Sequence, residues 1–271
     1  MPRRSWLFVP GADEAAHAAA ARSGADVIIL ELEDFTPPQL RPKARAMAAK
    51  AFDAWRTAGA LAAVRVNPLE GDGHADLRGV LPAKPDLVMM SKVETPEQVR
   101  ALAAAVPGKA ELVPNLESAR ALVRIPDIAN SSSRITALLV ASEDMVADLG
   151  TERSRSGEEL AYVRARFLVE CRAAGVEAID CPYTFSDVQG AAADARTAKR
   201  LGYRMKSLVE PSHARAINKV FTPDLAKARK IVAAFEKARV QGRDRAKVDG
   251  ALVEVPIYAA AKRLLESAGH S

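Results

Sequence analysis

Val27-Ile28-Ile29-Leu30-Glu31-Leu32-Glu33-Asp34 runs from an unbroken apolar stretch into three acids. A strand that is apolar without alternation has no solvent side, as in a parallel sheet buried on both faces. The same pattern recurs along the chain. Ala62-Ala63-Val64 leads to Arg65 and Asn67, Leu87-Val88-Met89-Met90 to Lys92 and Glu94, and Leu112-Val113-Pro114 to Glu117. Residues 135–140 lead to Glu143 and Asp144, and Ala178-Ile179 leads to Asp180. In a (β/α)8 barrel the C-terminal strand ends build the active site. Charges at successive strand ends therefore predict a polar pocket ringed by carboxylates and cations.

Strands are expected at 5–9, 27–32, 62–66, 87–90, 111–116, 135–140, 177–180 and 204–209. Alanine-rich helices are expected between them, at 13–23, 43–57, 96–105, 158–174 and 188–201. Gly24, Gly59, Gly175 and Gly202 each stand between a helix and a strand, where a left-handed residue belongs. Thr95-Pro96-Glu97 and Ser186-Asp187 read as helix starts. Eight strands separated by helices predict an α/β fold, a closed (β/α)8 TIM barrel over residues 1–222. An open doubly wound sheet is the alternative. Residues 223–271 are expected to form a short C-terminal helical extension, with helices at 223–239 and 256–267 and a basic loop at 240–249. It would cap the barrel mouth or pack on a neighbouring subunit.

The 271 residues, 49% hydrophobic and 27% charged, suffice to bury a full core and exclude a disordered chain. The net charge of +5 is spread through the helices, and only 237–247 concentrates basic residues. Few aromatics lie near that stretch, so no nucleic-acid partner is expected, whereas an anionic small molecule suits the balance. Cys171 and Cys181 match no zinc spacing and read as buried reduced thiols. A strand signal begins within a few residues of the start, so no secretory leader is expected. No apolar stretch approaches the ~20 residues of a membrane span. A cytoplasmic location is expected.

No Gly-x-Gly-x-x-Gly, P-loop or serine elbow is present. Gly71-Asp72-Gly73-His74 reads as a surface turn, and His17, His74, His213 and His270 are too scattered for a zinc pair. Chemistry must then rest on carboxylates, Arg65, Lys92 or a bound hard cation. Glu117 and Asp144 end neighbouring strands, roughly 4.8 Å apart. Both could grip one Mg²⁺ alongside waters and substrate oxygens, or both could be first-turn acids favourable to a helix dipole. Arg65 could clamp a carboxylate or pair with Glu33 or Asp34. Lys92 and Glu94 are expected to pair with each other at the barrel mouth.

At these residues the chain resembles the HpcH/HpaI aldolase/citrate lyase family, in particular citrate lyase beta subunits, and also the malyl-CoA lyases and, distantly, the malate synthases. The resemblance runs nearly end to end. It is carried by Arg4-Ser5-Trp6-Leu7-Phe8-Val9-Pro10-Gly11, by Leu30 to Asp34 with Pro38, Arg41 and Arg45, and by Val64-Arg65-Val66-Asn67-Pro68. Ser91-Lys92-Val93-Glu94 resembles a Pro-Lys-Val-Glu signature and Pro114-Asn115-Leu116-Glu117-Ser118 the Ile-Glu-Thr metal strand. Glu143-Asp144-Met145-Val146-Ala147-Asp148-Leu149-Gly150 is the most specific block, and Val248-Asp249-Gly250 resembles the C-terminal segment.

The resemblance implies a Mg²⁺-dependent carbon–carbon lyase or aldolase that cleaves a hydroxyacyl thioester, of citramalyl-CoA or malyl-CoA type, into an oxo acid and an acyl thioester. Glu117 and Asp144 would be the metal ligands. Arg65 would be both catalytic and substrate-binding, with Glu31 and Glu33 beside the substrate. Glu254 would act in catalysis from a neighbouring subunit of a homotrimer or a multiple of it. Arg4 and Arg41, with Arg3, would be candidates for the CoA phosphates. Departures fall on the acyl side. Leu252-Val253-Glu254-Val255-Pro256 stands for Met-Ile-Asp-x-Pro, Met205 to Pro211 puts Glu210 for the histidine of Gly-Lys-x-x-Ile-His-Pro, and Val140-Ala141 stands for Phe-Gly. The glycine after the metal glutamate is replaced by Arg120 or Ala121, and Glu31 stands for an aspartate. A changed substrate is expected. A CoA-independent oxo-acid aldolase and a non-catalytic metabolite-binding subunit are the alternatives.

Overall fold

Val27–Glu31 is the second of eight strands and, as its apolar run requires, is buried along its whole length. The strands are β1 (Ser5–Pro10), β2 (Val27–Glu31), β3 (Leu61–Val66), β4 (Leu87–Met90), β5 (Glu111–Leu116), β6 (Ala137–Val140), β7 (Glu177–Asp180) and β8 (Met205–Leu208). In this computed structural model, which describes residues 2–269, each strand pairs in parallel with the next. β8 closes on β1, so the fold is the expected (β/α)8 TIM barrel. The open-sheet alternative is excluded by that closure.

The helices are α1 (Glu14–Ser23), α2 (Arg41–Thr57), α3 (His74–Val80), α4 (Pro96–Ala105), α5 (Ala119–Leu122), α6 (Ile125–Ala129), α7 (Glu143–Asp148), α8 (Ala161–Ala173), α9 (Val188–Leu201) and α10 (Ala214–Phe221). Two more, α11 (Leu225–Val240) and α12 (Val255–Gly269), belong to a second compact unit that begins at Thr222; the barrel unit is Pro2–Phe221. The period-2 geometry of a strand sorts the barrel side chains. Trp6, Ile29, Ala63, Met89, Val113 and Ile179 fill the interior. Leu7, Leu30, Val64, Val88 and Leu112 pack in the outer layer with Phe52, Trp55 and Phe167 of the helices.

Local signals set where each strand begins and ends. Thr95 and Gln98 close a capping box on α4. Gly24 ends α1 at φ +79° and Gly202 ends α9 at φ +119°, conformations that a side chain would resist. A Cβ on Gly11 would stand 2.6 Å from the Glu31 carbonyl oxygen, so only glycine lets the chain after β1 pass over the end of β2. Within residues 71–74, where Gly71 and His74 are exposed as a surface turn requires, the exception is Gly73. It is buried, and a Cβ there would meet the Asn67 carbonyl oxygen at 2.4 Å.

Outside the strands, β7, β8, α8 and α9 share a buried ionic cluster. Asp180 accepts both Arg164 Nε at 2.8 Å and Arg164 Nη2 at 2.7 Å. Lys206 Nζ lies 2.6 Å from Asp180 and 2.5 Å from Asp194, and Arg164 Nη1 also reaches Asp194 at 2.8 Å. Lys206 further donates to the Cys181 carbonyl at 2.5 Å, at the exit of β7. Cys171 and Cys181 are free and buried, as expected; burial pushes the Cys181 thiol up to about 12.

In the second unit the expected basic loop is partly a strand. β9 (Arg245–Val248) pairs antiparallel with β10 (Ala251–Glu254) across Asp249-Gly250, both left-handed at φ +48° and +82°. Asp-Gly is the preferred two-residue hairpin turn. The polar alternation Arg-Ala-Lys-Val hid the strand. α11 and α12 meet through Phe235 and Tyr258, stacked at 4.6 Å, with Arg239 over both rings at 5.1 and 5.4 Å. No helix among the described residues is long and apolar enough to cross a membrane. His270 lies outside the described residues.

Candidate active site

Arg65 is the hub of the strand tops. It faces inward from β3, beneath a ring of acids, with its guanidinium 4.8 Å over Phe8. Its Nε donates to Glu31 Oε1 at 2.9 Å. Its Nη2 lies 2.9 Å from Glu31, 3.3 Å from Glu33 and 3.6 Å from Asp34, and its Nη1 lies 3.8 Å from Glu117. Burial works against the guanidinium charge, but the surrounding carboxylates, Glu31 and Glu117 foremost, outweigh it and hold the arginine more firmly charged than in water.

The acids differ in what they have left to offer. Glu31 is fully buried, and its two oxygens accept the backbone N–H groups of Glu33 and Phe35, both at 2.6 Å. That carboxylate shapes the β2–α2 loop and orients Arg65. Glu33 is buried too, with Oε1 held by Lys92 at 2.5 Å and Oε2 without a hydrogen bond; burial raises its pKa against the pull of Arg65 and Lys92. Lys92 therefore does not pair with Glu94, as sequence proximity suggested. Glu94 instead accepts the Ser118 hydroxyl at 2.6 Å. The reason is geometric: Lys92 sits at φ +54°, which re-aims it across the strand tops.

Glu117 is the exception in this ring. It is 4% exposed, and neither carboxylate oxygen has a hydrogen-bond partner. Burial pushes its pKa up to about 8, with Arg65 opposing and Asp144 and Glu33 adding to the rise. Asp144, the second residue of α7, lines a cavity of about 310 Å³ above the strand ends with Arg65, Asp34, Phe8, Phe35 and Thr184. A buried carboxylate with two bare oxygens, close enough to a second carboxylate to feel its charge, fits a hard cation. Among the described residues no group of three His, Cys, Asp or Glu is arranged to hold a metal. Two protein oxygens plus water and substrate is the usual Mg²⁺ arrangement.

Of the remaining expected site residues in the barrel unit, Arg4 and Arg41 are not brought to this ring. Arg4 precedes β1 and is taken by Asp26, which precedes β2, with Nε–Oδ2 at 2.8 Å and Nη2–Oδ1 at 2.9 Å. Both therefore lie at the N-terminal end of the barrel, opposite the cavity. This corrects the expectation that Arg4 meets CoA phosphates at the mouth. Arg3 shares that end, bound to Glu111 by two bonds of 2.6 Å. Arg41, at the start of α2, is on the C-terminal side but donates to Asp72 at 2.7 Å. Glu254 is exposed on β10 in the second unit, with its backbone opposite Arg245. Asn115, on β5 two residues before Glu117, is a buried polar residue to which the sequence pattern alone gives no role.

The family model for HpcH/HpaI aldolase/citrate lyase matches residues 4–211, the whole barrel from the start of β1 to the end of β8. This chain belongs to the HpcH/HpaI aldolase/citrate lyase family. The citrate lyase subunit beta of Haemophilus influenzae is 32% identical over 98% of this chain and 97% of that protein. A (3S)-malyl-CoA thioesterase of Cereibacter sphaeroides is 31% identical over 93% of this chain and 90% of that protein. Among solved structures, CitE of Mycobacterium tuberculosis in complex with magnesium, acetoacetate and coenzyme A superposes with a TM-score of 0.78. It is 28% identical, covering 99% of this chain and 98% of that one. The family's barrel thus accommodates magnesium and a CoA ligand in that relative.

Proposed function

We propose that this family member is a Mg²⁺-dependent carbon–carbon lyase that splits a hydroxyacyl thioester into an oxo acid and an acyl thioester. The observation that carries the reading is Glu117, a buried carboxylate with both oxygens free, 3.8 Å from Arg65. Glu117 and Asp144 would hold the cation, which when bound acts as a Lewis acid toward the substrate hydroxyl and carboxylate oxygens. Arg65, kept charged by its acids, stabilises the oxygen on which negative charge develops. Phe8 and Phe35 give that side of the cavity an apolar wall.

Bond cleavage passes the hydroxyl proton to a base and leaves the electron pair on the thioester α-carbon, which takes a proton back from the same group. We assign that proton transfer to Glu254 of a neighbouring copy, since it is an exposed carboxylate on a hairpin, and so read the enzyme as a homo-oligomer. Glu31 and Glu33 orient Arg65 and Lys92. A second reading, an aldolase acting on a free oxo acid, is favoured by one observation: Arg4 is sequestered by Asp26 away from the mouth. A screen of purified protein against hydroxyacyl-CoA thioesters and free hydroxy acids, with and without Mg²⁺, decides between them by the oxo acid released. Turnover of thioesters only, abolished by chelation, supports the lyase; turnover of free acids supports the aldolase; no release from either removes both.

A further inference from the structure

On β5 the side chains alternate. Leu112 and Leu116 pack in the outer layer, and Val113 belongs to the barrel interior. Asn115 and Glu117 share the face of Val113. Asn115 is fully buried, and neither its Oδ1 nor its Nδ2 has a hydrogen-bond partner. Its backbone carbonyl already accepts the Val93 N–H at 3.1 Å, so the strand does not need the side-chain amide. Packing does not need it either, because an apolar residue would fill the interior as Val113 does. A buried amide with donor and acceptor both unmade is costly, and native interiors avoid it. It is retained here two residues from a buried carboxylate that is bare in the same way. Cα atoms at that spacing are roughly 7 Å apart. An amide and a carboxylate can bridge such a gap by one hydrogen bond, direct or through one water.

We propose that Asn115 is a positioning residue for the metal, its amide donating to the Glu117 carboxylate that would grip the cation. The bond is charge-assisted and fixes which carboxylate oxygen is turned to the cation. The inference rests on the reading of Glu117 as a Mg²⁺ ligand. Partners behind a metal ligand typically change metal affinity by about 10–100-fold when removed.

Asn115→Leu, close in volume and without the amide, tests it on the full-length chain. Two quantities are measured: the melting temperature in EDTA and the Mg²⁺ dissociation constant by calorimetry. In EDTA the variant melts at or above the wild-type temperature, because two unmade polar atoms are gone. Its Mg²⁺ affinity falls by about tenfold or more. Asn115→Ala gives the same reading should the leucine fail to fold. A folded variant that keeps Mg²⁺ affinity within a few-fold of wild type overturns the proposal. Wild-type protein that binds no Mg²⁺ brings down the metal reading itself, which is a separate result.

Discussion

Arg65 Nη1 stands 3.8 Å from Glu117 Oε1, too far for a hydrogen bond and close enough to feel its charge. The other edge of the guanidinium is spent on Glu31 at 2.9 Å. Arg65 therefore steadies Glu117 without occupying its oxygens, and the carboxylate stays available to a cation.

That arrangement makes stability depend on pH. The folded pKa of Glu117, about 8, lies above its ordinary 4.5 because the site is buried. The neutral form favours the fold. The contribution is fully present below about 4.5 and is lost as pH rises through about 8. Metal-free protein should lose melting temperature over that window, and Glu117→Gln should flatten the slope. Excess Mg²⁺ should reverse it, since binding needs the ionised form. Melts in EDTA across the window check this, and a slope that Glu117→Gln leaves intact contradicts it.

Arg65→Met leaves Glu31, Glu33 and Glu117 without their shared cation. Breaking a buried pair on one side costs about 3–5 kcal/mol, read by urea unfolding. Loss of the charge at the developing oxyanion lowers kcat by about 10²–10³-fold. Arg65→Lys should recover much of the stability and little of the rate, because lysine cannot serve two sides of the ring at once.

Lys206→Met strands Asp180 and Asp194 on Arg164 alone. The expected loss is again about 3–5 kcal/mol of stability, with Mg²⁺ affinity unchanged, because the cluster lies in the outer layer. Unfolding and a Mg²⁺ titration on the same sample separate the two effects.

The barrel was legible because its strands are apolar on both faces. Leu87–Met90, Glu111–Leu116 and Glu177–Asp180 have the bounds read from sequence. The hairpin at Arg245–Val248 was not read, although Asp249-Gly250 announces it, because its strands are polar and exposed. In the ring, Arg65 with Glu31, Glu33 and Asp34 could be anticipated from strand ends. The partner of Lys92 could not, since Glu33 is 59 residues away and the choice turns on one left-handed backbone angle. The placement of Arg4 was available in principle: a residue before a strand belongs at the N-terminal end of a parallel barrel.

Arg4→Ala tests that last point. It should lower stability by about 1 kcal/mol, as for a partly exposed pair, and leave the KM for any thioester substrate unchanged. A KM raised tenfold would return Arg4 to the ligand.

The central claim is that Glu117 and Asp144 share one divalent ion. Calorimetric titration of Mg²⁺ into wild type, Glu117→Gln and Asp144→Asn tests it most directly. The account predicts one Mg²⁺ per chain in the wild type and no measurable binding in either variant, with both still folded. Wild-type affinity retained in either variant would contradict it.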